Sequence, residues 1–227
     1  MNDSINIVRL RAVANTLQEL NRNVVFVGGA TVSLYVTRAA PEARPTDDVD
    51  VIVELASYKE YAQLEERLRL LGFVNDIKSG VICRYTINGL IVDIMPTNSE
   101  ALGFSNRWYP DGFKNAISYS LDDRNTINIF SLPYFIASKL EAFKNRGNNN
   151  FRFSTDFEDI VYVLENGKNV VEELMAADEE VKSYLKNEFA VMLENSHFEE
   201  GVLGHLNQHT AAASLNKLLT IVKQISA

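Results

Sequence analysis

Apolar residues recur at roughly helical spacing over 5–22, at Ile5, Val8, Leu10, Val13, Leu17 and Leu20, and the spacing predicts an amphipathic helix there. A polar turn at 21–23 leads into VVFV, a short β-branched run that reads as a buried strand and breaks at Gly28-Gly29. The pattern then predicts the start of a helix over 30–36, a loop with two prolines over 39–46, and a second strand over 49–53. Residues 57–71 have helical periodicity, with Ser57 placed as N-cap and Gly72 as the stop. Two strands, 81–87 and 90–95, flank Asn88-Gly89, the strongest short hairpin signal a sequence carries.

Residues 97–124 read as loop-rich and aromatic, and 126–130 as one more strand. From Pro133 the period changes to helical, over about 133–146, 155–166, 169–176, 178–194 and 209–225, with GNNN at 147–150 as the clearest linker. The predicted class is α+β. A mixed sheet core flanked by helices occupies 1–130, and a helical C-terminal domain or bundle occupies 131–227.

Composition narrows the function classes. Of 227 residues, 46% are apolar and 23% charged, which is ordinary for a globular domain. No apolar stretch is long enough for a membrane helix, no secretory leader is read at the N-terminus, and the lone Cys83 excludes an internal disulfide. These point to a cytoplasmic protein with no membrane association. The net charge of −8 disfavours broad nucleic-acid binding and fits a protein that holds cations at a concentrated acidic site.

That site is visible in the second strand. Positions i and i+2 share a face, so Asp48 and Asp50 project together and Asp47 points away. Asp93 stands inside the apolar LIVDIMPT strand, where a carboxylate needs a partner. If the two strands are neighbours, the three acids form one hard-oxygen cluster suited to Mg²⁺. Two such ions about 3.5–4 Å apart activate an attacking oxygen and stabilise departing pyrophosphate. Gly28 and Gly29, between a strand and a helix start, let phosphate approach backbone N–H groups, and Thr31 and Ser33 add hydroxyls. A solvated turn at 47–48, a strand-edge Asp93 and a merely tight Gly-Gly turn are the bland alternatives.

Gly28-Gly29 followed by Arg44-x-Thr46-x-Asp48-x-Asp50 resembles the nucleotidyltransferase fold of the DNA polymerase β superfamily, and more narrowly the AbiEii/AbiGii toxin family. The SLPYFIASKLEAFKNRG and FRFSTDFEDIVYVL segments are similar to that family's two helix motifs, at Pro133, Lys139, Ala142, Arg146, Arg152, Asp156 and Asp159. The resemblance covers about 24–165. It implies a nucleotidyltransferase-type core and transfer of a nucleoside monophosphate from an NTP, with Asp48, Asp50 and Asp93 as metal ligands and catalytic acids. It further implies nucleotide contacts from Gly28, Gly29, Thr31, Ser33, Arg44, Thr46, Lys139 and Arg146. The implied setting is a type IV-like toxin–antitoxin or phage-defence system, with tRNA or a protein as acceptor and a cognate antitoxin as partner.

Lys139, Ala142, Phe143 and Arg146 share a helix face that can reach a triphosphate, and Asp156 with Asp159 shares another. Asp156 is therefore either a further catalytic acid or the group that orients Lys139. The competing reading is an ion-pair network between the two helices. An RNA acceptor would need a local basic groove, for which Arg84, Arg107, Lys114, Lys144 and Arg146 are the candidates. Trp108 and Tyr109 either stack on a base or pack internally, and His205 with His209 is a bare i, i+4 pair. Two rival functions remain: transfer to a small cationic acceptor of the aminoglycoside kind, and a silent nucleotide- or partner-binding module.

Overall fold

The structure, a computed structural model, describes residues 4–37, 39–55, 58–97 and 106–227. Its class is α+β. The described residues fall into two units: one runs to Thr31 and resumes over Arg44–Ser131, and the other comprises Val32–Ala43 and Leu132–Ala227.

The first unit is built on a seven-stranded mixed sheet among the described residues. Its strands are β1 (Val24–Val27), β2 (Asp48–Val53), β3 (Val74–Asn75), β4 (Arg84–Ile87), β5 (Leu90–Pro96), β6 (Ile117–Ser120) and β7 (Thr126–Ile129), in the order β3-β4-β5-β2-β1-β7-β6. β2 runs parallel to β5 and antiparallel to β1, and β1 runs parallel to β7. All four residues of β1 are buried, as a continuous apolar run in mid-sheet requires. In β2 the alternation divides the faces, with Val49 and Val51 buried and Asp48 and Asp50 half-buried.

The β4–β5 hairpin turns at Asn88 (φ 50°) and Gly89 (φ 79°), and both positive angles match the primed turns that suit right-twisted strands. A two-residue loop fixes the register: Ile87 faces Leu90, and three pairs further on Arg84 faces Asp93. The strand predicted over 81–87 begins only at Arg84, because Val81 and Ile82 stand exposed ahead of it. β3 has two residues and β6 is an edge strand with a mostly exposed pattern, so neither leaves a hydrophobic trace in the sequence. The predicted loop over 97–124 holds both β6 and the short helix α3 (Tyr109–Lys114), while residues 98–105 lie outside the described ones.

Helix α1 (Ile5–Leu17) is capped by Ser4, whose hydroxyl accepts from the Ile7 N–H at 3.5 Å. It stops short of the predicted 5–22, because Gln18 takes φ 51° and the chain continues as a 3-10 turn over Gln18–Asn23. Its buried face also differs from the apolar pattern: Ile5 and Val8 are half exposed, and Asn6 is fully buried beside Leu10, Val13 and Leu17. The Asn6 amide clips the approach to β2. Its Nδ2–H donates to the Arg44 carbonyl (3.0 Å), and its Oδ1 accepts from the Thr46 N–H (3.0 Å). Helix α2 (Tyr58–Leu70) ends at Gly72 (φ 91°), where the Phe73 N–H reaches back to the Leu68 carbonyl at 3.0 Å. The cap expected at Ser57 lies outside the described residues.

The second unit is helical: α4 (Leu132–Asn145), α5 (Thr155–Asn166), α6 (Val170–Met175), α7 (Glu179–Glu194), α8 (Phe198–His205) and α9 (Ala211–Ser226). Only α8 is missing from the sequence expectation, since Gly201 and Gly204 weaken its helical signal. Phe143, Phe151, Phe157 and Phe198 pack with ring centroids 4.9–6.0 Å apart. Residues 147–150, expected as a linker, form a hydrogen-bonded turn inside this unit, with Asn148 and Asn149 left-handed. Segment 32–43 is sewn onto the helices rather than belonging to a continuous 1–130 domain. Tyr35 stacks 4.3 Å from Phe135, Val36 bridges Gly167, and Tyr162 Oη–H donates to the Pro41 carbonyl at 2.6 Å.

Because Asn6, itself buried, serves two backbone partners on the way into β2, we expect Asn6→Ala to cost about 1–3 kcal/mol. Hydrogen exchange should show lost protection at the β2 amides.

Candidate active site

Pairing across three adjacent strands assembles the acid cluster. In the parallel β2–β5 ladder Asp50 lies opposite Asp93, and in the antiparallel β4–β5 ladder Asp93 lies opposite Arg84. Partners in a ladder share a face, and Asp48 joins them two residues before Asp50. One carboxylate oxygen from each of Asp48, Asp50 and Asp93 comes within 4.8 Å of the other two. The strand neighbours that the sequence only supposed are therefore neighbours in the sheet.

Arg84 binds this cluster with a planar fork. Its Nε–H donates to Asp93 Oδ1 and its Nη2–H to Asp93 Oδ2, both at 2.8 Å. Nη2 also donates to Asp48 Oδ2 at 3.0 Å. The hydrogen bond to Asp93 raises the pKa of Arg84 above the ordinary arginine value, against the pull of burial. Formally the four groups carry two more negative charges than positive. Neighbouring Cys83 is a buried thiol pushed up to about 11, first by burial and then by the Asp93 charge, so it stays protonated.

The glycine turn touches the cluster directly. Gly28 has φ 73°, and a Cβ built there would fall 1.9 Å from Asp50 Oδ2, so that carboxylate rests on the glycine backbone. The Gly28 carbonyl accepts from the Thr31 N–H (3.3 Å) and from Thr31 Oγ1–H (2.9 Å). Thr31 is fully buried, and its hydroxyl closes the turn. The helix expected over 30–36 is a 3-10 turn, Gly29–Tyr35. Thr46 Oγ1–H donates to the Asp48 carbonyl (3.0 Å), tying the start of β2 to the Asn6 clip, and Arg44 offers its carbonyl to the same clip. Asp47 is exposed in a bend, as its opposite parity implies. Ser33 falls in the helical unit, and its buried Oγ has no hydrogen-bond partner among the described residues.

The remaining candidate site residues form a separate constellation inside the helical unit. Lys139 Nζ lies 3.0 Å from Asp156 Oδ1 and 2.6 Å from Asp159 Oδ2, and all three side chains are almost wholly buried. Arg146, mostly exposed, reaches Asp156 with Nε at 2.7 Å and Nη2 at 2.8 Å. Burial opposes ionisation of Asp156. The Arg146 hydrogen bonds and the Lys139 charge outweigh it and bring the carboxyl down to about 2. For Lys139, burial lowers and the charges of Asp159 and Asp156 raise, with a net upward shift. This arrangement is the ion-pair network that the sequence allowed as the alternative to triphosphate contacts.

Each candidate for a basic groove has a partner within its own unit. Arg84 holds the acids, Arg107 lies 4.7 Å over the Trp108 ring, and Lys114 lies 3.7 Å from Asp111. Lys144 lies 2.7 Å from Glu188, and Arg146 holds Asp156. Trp108 is 1% exposed and packs in the core, which rules out stacking on a base without rearrangement. Tyr109 packs toward Phe130. His205 ends α8 and meets the Phe151 carbonyl at 2.7 Å, while exposed His209 lies beyond the helix, so the pair shares no helix face. No helix among the described residues is long and apolar enough to cross a membrane. Compared with known proteins, the chain matches no family model, and the search of curated proteins returns no match.

Sequence reasoning missed the role of Arg84. The signal was present in Asn88-Gly89: counting outward from a two-residue turn pairs Arg84 with Asp93.

Two outcomes follow from these geometries. Gly28→Ala forces both a positive φ and a collision with Asp50, so we expect a loss of about 1–3 kcal/mol. For Asp156 the folded pKa of about 2 lies below the unfolded value of about 3.9. Its stabilisation, on the order of 2 kcal/mol, is therefore complete above about pH 4 and drains away as the pH falls through 2. Lys139 has the opposite sign: its contribution is complete below its unfolded pKa of about 10.4 and is lost as pH rises through the higher folded value. The protection of α4 and α5 amides, relative to their intrinsic exchange rates, should fall between pH 4 and 2 in the native protein, and Asp156→Asn should flatten that acid limb.

Proposed function

We propose that this protein is a metal-dependent nucleotidyltransferase that moves a nucleoside monophosphate from an NTP to a hydroxyl acceptor and releases pyrophosphate. One observation carries the reading. The β2–β5 register gathers oxygens of Asp48, Asp50 and Asp93 within 4.8 Å, on the backbone of a left-handed glycine at the end of β1. Such a register gives three acids a common face, where their repulsion favours a cation.

The donor set fits Mg²⁺, being carboxylate oxygen alone without imidazole or thiolate. Asp48, Asp50 and Asp93 would hold the metal, which when bound neutralises charge on the phosphates and the leaving pyrophosphate. The chain's own groups do the positioning. Gly28 leaves room against its backbone for the Asp50 carboxylate, and Thr31 locks that turn. Asn6 and Thr46 hold the strand entry so that Asp48 keeps its place. In the reaction, a bond forms between the acceptor oxygen and the α-phosphorus, and the bond from that phosphorus to the β-bridging oxygen breaks. Pyrophosphate leaves with the electron pair, and the hydroxyl proton passes to a carboxylate oxygen of Asp93 and on to water. Positioning and charge stabilisation supply most of the acceleration in such transfers.

The Gly28-Gly29 and Arg44-x-Thr46-x-Asp48-x-Asp50 resemblance to AbiEii/AbiGii toxins supports the same reaction. It also supports a tRNA 3′ end or a protein hydroxyl as acceptor, and an antitoxin as partner. The reading is tested by incubating the protein with Mg²⁺ and each α-labelled NTP, with and without total tRNA. We expect label to move to RNA or protein and to stay in the NTP with Asp48→Ala/Asp50→Ala. Transfer that survives loss of both acids would overturn the reading.

A further inference from the structure

We infer that Arg84 is a resident counter-ion of the acid cluster, which a divalent metal must displace from Asp48 before it can use that carboxylate. The inference rests on the metal-dependent reading and concerns how the same site is loaded. Nη2 of Arg84 donates at once to Asp48 Oδ2 on β2 (3.0 Å) and to Asp93 Oδ2 on β5 (2.8 Å). One donor thus straddles two of the three carboxylates in the cluster. A divalent ion held by Asp48 and Asp93 would take carboxylate oxygen that Nη2 now contacts on both residues. A guanidinium does not deprotonate in proteins, so it meets the incoming ion as a like charge.

The two halves of the grip are unequal. Asp93 is held by two bonds with its side chain 11% exposed, and Asp48 by one bond with its side chain 34% exposed. The Asp48 contact is therefore the one that yields, while the fork keeps Asp93 in position. The released Nη2–H then needs another acceptor, and a phosphate oxygen supplies one. A free divalent ion accordingly binds poorly, and the same ion delivered with a triphosphate binds well. Metal entry is in this way coupled to arrival of the nucleotide.

The test uses the full chain and Mn²⁺ as probe, read by electron paramagnetic resonance, without nucleotide and then with α,β-methylene ATP. Arg84→Gln should bind Mn²⁺ about tenfold more tightly than the native protein when nucleotide is absent. The analogue should narrow that gap. Equal or weaker Mn²⁺ binding by folded Arg84→Gln overturns the inference and leaves the metal reading in place. If neither protein binds Mn²⁺ at millimolar concentration, and Asp50→Asn behaves identically, the inference and the metal reading fall together. A second measurement needs no variant. In the native protein, the Arg84 Nη2–H protons should lose protection from solvent exchange as Mg²⁺ saturates. Unchanged protection at saturating Mg²⁺ overturns the inference.

Discussion

Like charges on neighbouring strands push apart, and the centre of this sheet holds three of them on one face. Asp48, Asp50 and Asp93 are brought together by a ladder whose other members are mostly apolar and buried. Burial of Val49, Val51, Val92 and Ile94 fixes the register, and the register then fixes the acids. Arg84 offsets part of the repulsion through its fork on Asp93 and its reach to Asp48. Local order at this end of β2 serves the same purpose. Asn6 clips the β2 entry, Thr46 holds the Asp48 carbonyl, and Gly28 makes room for the Asp50 carboxylate.

The helical unit solves a related problem differently. There Lys139 and Arg146 face Asp156 and Asp159, so cations and anions are equal in number, and three of the four side chains are nearly sealed from water. A balanced, enclosed set is what a structural network requires, since a buried unpaired charge is expensive. The sheet cluster is not sealed: two of its three carboxylates are only half-buried.

Much of this was legible in the chain. Asp48 and Asp50 share a face by parity alone, and the hairpin follows from Asn88-Gly89. The helices at 133–146 and 155–166 are found almost to the residue as α4 and α5. What escaped prediction has physical causes. β3 is too short and β6 too exposed to show a hydrophobic period, and glycines blur α8. Asn6 is buried for its hydrogen bonds, which a count of apolar positions does not see, so Ile5 and Val8 were given its place. Segment 32–43 joins the helical unit through long-range contacts of Tyr35, Val36 and Pro41 that no local pattern encodes. Arg84 was readable in principle, but only by carrying the turn geometry three pairs along the ladder.

The hairpin tip has a consequence for how this protein tolerates change. Asn88 and Gly89 are exposed and take no part in the acid cluster, the kind of position where insertions and deletions are ordinarily harmless. Yet they count out the spacing between Arg84 and Asp93. A one-residue slip of that pairing would turn Arg84 to the opposite side of the sheet, where Tyr85 and Ile87 now lie buried. The charge balance of the cluster is thus inherited through the length of a loop as much as through the identity of its side chains.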